Sequence, residues 1–311
     1  MITCQIMGGL GNQLFQIFTT IAYALEQKQN FGFIYSQTSY GITHRLTYWD
    51  NLLESLKKYT FHDGFLKEQR IIREAGFLYQ PLPSIFPSLD QTYSLTLLFG
   101  YFQSPKYFER FWDEIYEMVG FNRFKQEIRE KALKLELPNL ENTMSMHFRI
   151  GDYKDLQEHH NILSYDYYEK SIGFILKNIK SLPVENLQGN VSKKRDRKIH
   201  PINTLLYVLY FNEEKDFDEV NLMIQKLKKT FPLIEFIKTP YHLNDWEQML
   251  LMSCCKYNII ANSTFSWWGA YLNQSNERII CYPSVWFGPK KSNIDTEDLF
   301  PVKNWFKITI N

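Results

Sequence analysis

The sequence predicts an α/β protein of two lobes with a ligand cleft between them. Three observations carry this. A strand, a glycine-rich turn and a helix open the chain, strands and helices alternate regularly beyond about residue 141, and 311 residues are too many for one small core. Ile2 to Met7 reads as a buried strand, Gly8 to Gly11 as a tight turn, and Asn12 to Gln27 as a helix with Leu14, Ile17, Phe18, Ile21 and Leu25 on one face. A second strand follows at Phe31 to Tyr35. The pattern then becomes irregular, with Pro81, Pro83 and Pro87 breaking any long element before Tyr93 to Phe102, and helical patterns fill about 104 to 136. A domain boundary is expected near Pro138 to Asn142, giving a first lobe of 1–140 and a second of 141–311. In the second, strands at 145–150, 204–211, 233–238, 257–261 and 278–282 alternate with helices at 164–181, 216–230, 245–255 and 265–273. That order predicts a parallel sheet covered on both faces, so this half reads as Rossmann-like.

Composition narrows the function classes. Hydrophobic residues at 44% against 22% charged indicate a globular chain, and a net charge of +1 gives no reason to expect a nucleic-acid partner. Aromatics reach 16%, which fits sugar-stacking surfaces in a cleft as well as plain core packing. Cys4, Cys254, Cys255 and Cys281 lack metal-ligand spacing and lie in apolar stretches, so they read as reduced core residues. The opening residues lack the basic start and apolar length of a signal peptide or anchor, which makes a cytoplasmic protein the expectation. Lys193 to Lys198 form a basic run in a polar stretch, Glu185 to His200. It reads as a solvated loop or, alternatively, as a peripheral contact with an anionic inner membrane face or a lipid-linked acceptor.

Three segments carry chemistry. In Met144 to Tyr153, strand alternation puts Ser145, His147 and Arg149 on one face and Met146, Phe148 and Ile150 on the other. A guanidinium at the end of a central strand needs a partner, and a bound diphosphate supplies one through parallel hydrogen bonds. The plain alternative is an edge strand with an Arg149 to Asp152 salt bridge. The loop Gly8-Gly9-Leu10-Gly11-Asn12-Gln13 offers free N–H groups at a helix start, where an anion or polar ligand binds, or it is only a structural turn. It fails the dinucleotide fingerprint, because Leu14 occupies the third glycine position and no acid ends the second strand; nor is it a P-loop. In Asn262-Ser263-Thr264-Phe265-Ser266, amide and hydroxyl groups meet a helix N-terminus at the carboxyl edge of the sheet, as a phosphate or ribose contact or as simple N-capping by Ser263 or Thr264. No metal site is apparent, and the adjacent His159 and His160 point different ways.

These segments resemble, in order and over nearly the whole chain, the bacterial-type α-1,2-fucosyltransferases, glycosyltransferase family 11. The family's opening run stands here as Gly8 to Gln16, its His-x-Arg-x-Gly-Asp-Tyr motif as 147–153, and its C-terminal motif as Ser263 to Gly269. Asn212-Glu213-Glu214 stands where the family shows paired acids. The resemblance implies two Rossmann-like lobes in a GT-B-like fold, a GDP-fucose donor, a glycan acceptor with a terminal galactose, inversion at the anomeric carbon, and neither cofactor nor divalent cation. It implies that Arg149 takes the pyrophosphate, helped by the helix start at Asn262 to Ser266 and by Gly9, Gly11, Asn12 and Gln13. For the general base Asp152 is the first candidate, because Gly151 lets it project from the strand end, and His147 the second. The rival expectations are another GDP-sugar transferase of different linkage and a non-catalytic nucleotide- or glycan-binding protein.

Overall fold

The computed structural model describes residues 1–41, 45–62, 69–85, 94–179 and 206–310. The basic run at 193–198, Pro87, Tyr93, the last residues of the helix expected to 181 and the first of the strand expected from 204 lie outside them.

The first lobe is built from β1 (Ile2–Cys4), α1 (Leu10–Glu26), β2 (Phe33–Ile34), β3 (Thr60–Phe61), β4 (Gln69–Arg73), β5 (Leu95–Phe99), α2 (Trp112–Val119) and α3 (Phe121–Lys134). Its strands form a parallel sheet of order β1-β5-β4 and a parallel pair β2-β3. The second comprises β6 (Thr143–His147), α4 (Tyr165–Ile179), β7 (Leu206–Phe211), α5 (Phe217–Thr230), β8 (Ile234–Lys238), α6 (Asp245–Cys254), β9 (Tyr257–Ile259), α7 (Thr264–Tyr271), β10 (Ile279–Pro283) and β11 (Trp305–Ile308). Its six strands are all parallel, in the order β11-β10-β9-β6-β7-β8. This is the expected α/β architecture, GT-B-like in outline, although the first lobe carries only a three-stranded sheet and a two-stranded pair against the six strands of the second.

Side-chain alternation decides what each face of the large sheet meets. Met144, Met146, Val208, Tyr210 and Ile259 pack with Tyr167, Ile172 and Ile175 of α4 and Val220, Ile224 and Leu227 of α5. Leu209, Phe211 and Ile280 point the other way, into a second core that contains α6, α7 and the helices of the first lobe. That core is continuous across the chain. α1 is buried nearly all round rather than along one stripe, as its run Leu14-Phe15-Gln16-Ile17-Phe18 dictates. Phe15 and Phe18 meet Trp267 and Trp268 of α7 at ring separations of 4.6–5.2 Å. α3 lies on α6, where Phe124 meets Trp246, Lys131 pairs with Glu247 at 2.7 Å, and the buried Lys125 donates to the Leu272 carbonyl at 2.8 Å. The helix expected over 216–230 starts at Phe217, and that expected from Asn12 starts earlier, at Leu10. The alternation of elements gave no hint of β4 or of the final strand β11, an edge strand whose Trp-Phe-Lys-Ile run follows a long loop. All four cysteines are buried and free.

Candidate functional site

α1 and α7 pack against each other from their N-terminal turns, and this contact fixes the cleft floor. A Cβ on Gly11 would fall 2.5 Å from the Thr264 carbonyl carbon and 2.7 Å from the Phe265 nitrogen, so only glycine allows the two helix starts to touch. The contact is bonded as well as close. Trp268 Nε1 donates to the Gly11 carbonyl at 2.8 Å, and the Asn12 side-chain oxygen accepts from Thr264 Oγ1 at 2.9 Å and from Gln103 Nε2 at 3.0 Å. Ser263 caps α7, its hydroxyl accepting from the Phe265 N–H at 3.3 Å.

Above this floor lies a cleft of about 1070 Å³ at the carboxyl ends of β6, β7 and β9. β6 ends at His147, earlier than the expected 150, because the chain turns at Gly151 in a left-handed conformation (φ +28°) whose N–H donates to the buried Asp216 carboxylate at 2.8 Å. Arg149 and Asp152 flank that turn. Arg149 donates to Asp152 at 2.5 Å and to Glu213 at the end of β7, and its guanidinium lies 5.1 Å from the centre of the Tyr153 ring. The Arg149 to Asp152 pair raised as the plain alternative is therefore present, but on a central strand rather than an edge. Glu213 also pairs with Lys215 at 2.8 Å. Burial acts to raise its pKa, but the Lys215 hydrogen bond and the Arg149 charge outweigh that and leave it lowered, so the carboxylate is held ionised. Glu213 thus acts as a holder of Arg149.

The neighbouring His147 is 7% exposed, and its ring sits 5.4 Å from that of Phe265. Burial, reinforced by the Arg149 charge, pushes its pKa down to about 3, and its Nδ1 has no hydrogen-bond partner. An imidazole with so low a pKa is a weak proton acceptor near neutrality. Asp152, 42% exposed at the side chain, is the better placed of the two base candidates.

The cleft lining gathers Gly9, Gly11, Asn12, His147, Arg149, Asp152, Asn262, Ser263, Thr264 and Phe265. Two expected residues do not line it. Gln13 is fully buried and spends its amide on the Gly8 and Leu46 carbonyls at 2.9 and 2.8 Å, and Ser266 turns inward to Ala261. Asn262 lines the cleft while its amide ties together the Asn161 and Trp286 carbonyls at 2.9 and 3.1 Å. Arg45, Tyr40, Leu46 and Tyr101 also line the cleft from the first lobe. No spacing rule leads to them; Arg45, Tyr40 and Leu46 come from an aperiodic stretch and Tyr101 from the end of the element expected at 93–102, and exposed tyrosines at a cleft rim were foreshadowed only by the aromatic content. Among the described residues, no cluster of three or more His, Cys, Asp or Glu could hold a metal, and no helix is long and apolar enough to cross a membrane.

Comparison with known proteins finds relatives of the chain. Residues 220–308, which include Asn262 to Ser266 and the capped start of α7, match the family model Glycosyl transferase family 11. Over that segment the chain is similar to the family. It is similar to an O-antigen biosynthesis glycosyltransferase, WbnK, of Escherichia coli, at 28% identity over 94% of this chain and 97% of that protein. It is also similar to an alpha-1,2-colitosyltransferase of Escherichia coli, at 25% identity over 99% of this chain and 98% of that protein. Among solved structures, POFUT1 in complex with GDP is similar at 11% identity and a TM-score of 0.49, over 90% of this chain and 97% of that one. In this chain the cleft residues come from all three motif segments.

Proposed function

We propose that this chain is a family 11 glycosyltransferase that moves L-fucose from GDP-fucose to the 2-hydroxyl of a galactosyl acceptor, with inversion and without a divalent cation. The observation that carries this is Arg149, held at the end of the central strand by two carboxylates and facing the same cleft as the α7 N-terminus. A preorganised guanidinium beside a helix start suits a leaving diphosphate, whose charge grows as the glycosidic bond breaks. In this reading the acceptor oxygen attacks the anomeric carbon on the face opposite GDP. The bond from that carbon to the phosphate oxygen breaks with its electrons going to the diphosphate, and the acceptor proton passes to Asp152. The α-1,2 linkage in the name of one relative supports the choice of hydroxyl. The same name favours a second reading, in which a colitosyl unit replaces fucosyl at the same linkage; turnover of a colitosyl donor in preference to GDP-fucose would select it.

Arg149→Ala tests the assignment. Removing a donor aimed at developing charge costs about 2.7–4 kcal/mol in the transition state, so turnover should fall by roughly 100–1000-fold. Arg149→Lys, which keeps charge but loses the planar fork, should recover only part of it. An Arg149→Ala protein that keeps wild-type kcat would take Arg149 out of the donor site.

A further inference from the structure

We propose that Arg45 is a second cation for the donor diphosphate, delivered by the first lobe and sharing Asp152 with Arg149 while no donor is bound; the inference rests on the donor reading above. Arg45 Nη2 lies 3.5 Å from one Asp152 oxygen, whereas Arg149 holds the other at 2.5 Å. One carboxylate thus joins a guanidinium from each lobe. Among the described residues lining the cleft, Arg45 and Arg149 are the two arginines, and no lysine is among them.

Charge explains why one arginine is insufficient. Arg149 is matched by both Asp152 and Glu213, so that trio is net negative and by itself repels a diphosphate. Lys215, on the far oxygen of Glu213, and Arg45, on the far oxygen of Asp152, turn the cluster positive. Arg45 is the looser of the two Asp152 partners and is 48% exposed at the side chain, so it can move onto a phosphate at little cost. Once it does, Asp152 loses one of its two cations and becomes more available to an acceptor hydroxyl.

The position of Arg45 is built into the fold. Its carbonyl accepts from the Ser39 N–H at 2.7 Å, its N–H reaches Ser39 Oγ at 3.3 Å, and the next carbonyl, Leu46, takes the Gln13 amide at 2.8 Å. Gln13, which belongs to the opening motif yet never reaches the cleft, therefore acts as a positioning residue for the arm that carries Arg45.

The test is nucleotide titration of the full chain with GDP and with GMP, which lacks the second phosphate. Arg45→Ala should weaken GDP binding about tenfold and leave GMP within about twofold, and Arg45→Lys, which keeps the charge, should fall between. In an Asp152→Asn background the removal of Arg45 should cost GDP at least as much, since no carboxylate then competes for it. GDP binding unchanged by Arg45→Ala, or equal losses for GDP and GMP, overturns the role of Arg45 while leaving the donor reading intact. Failure of the wild-type chain to bind GDP removes the donor reading and this inference together.

Discussion

Gly11→Ala is the most incisive perturbation of the helix-to-helix floor. The new methyl would sit 2.5, 2.6 and 2.7 Å from the Thr264 carbonyl carbon, the Thr264 oxygen and the Phe265 nitrogen, all backbone atoms that cannot swing aside as a side chain can. α7 must retreat by on the order of 1 Å to restore van der Waals separation. Retreat stretches the Trp268 to Gly11 and Thr264 to Asn12 bonds, now 2.8 and 2.9 Å. Overpacking costs about 1–3 kcal/mol and a weakened hydrogen bond about 1 more, so roughly 2–4 kcal/mol of stability should be lost. At about 2 °C per kcal/mol for a large domain, Tm should drop by roughly 4–8 °C. Gly9 is the internal control. It has φ −79° and nothing within 4 Å of a built Cβ, so Gly9→Ala should be nearly neutral. Denaturant and thermal unfolding of the two variants give the comparison. Equal stability of Gly11→Ala and Gly9→Ala would refute the close approach.

Other outcomes follow from the same site. Asp152→Asn removes the proposed proton acceptor but also a negative charge beside the proposed diphosphate site, so kcat should fall by about 100-fold or more while GDP affinity holds or rises; loss of GDP affinity with kcat retained would make Asp152 a mere holder of Arg149. His147 has a native pKa of about 3 against an ordinary 6.5, so protons bind the unfolded chain preferentially. Its neutral burial therefore supports full stability above about pH 6.5, and stability declines as pH falls toward 3 at about 1.4 kcal/mol per unit, roughly 2 kcal/mol by about pH 5. Urea unfolding of wild type and His147→Asn at both pH values checks this, and parallel losses in the two proteins would contradict it.

Much of the second lobe was legible because parallel strands buried on both faces read as apolar runs, and period-two alternation around His147 and Arg149 separated the cleft face from the core face. Gly11 was legible only as part of a glycine-rich turn. Its real constraint is a helix more than 250 positions away in the chain, which no local pattern encodes. Glu213 was visible as an acid after a strand, but its grip on Arg149 depends on β6 and β7 being neighbours in the sheet. Gln13 and Ser266 looked like ligand contacts because amides and hydroxyls at helix starts serve either a ligand or the fold. Here buried carbonyls claimed them first. Arg45 was invisible because it lies in a stretch without periodicity, where position is set by a few long-range hydrogen bonds.

The most direct test of fucosyl transfer is turnover by the purified full chain with GDP-fucose, GDP-mannose or UDP-galactose, lactose as trial acceptor and EDTA present, followed as nucleotide release and as linkage in the product. The account predicts GDP release from GDP-fucose and a product fucosylated at the galactose 2-hydroxyl, undiminished by the chelator. Preference for UDP-galactose, or no affinity for GDP at all, would contradict it.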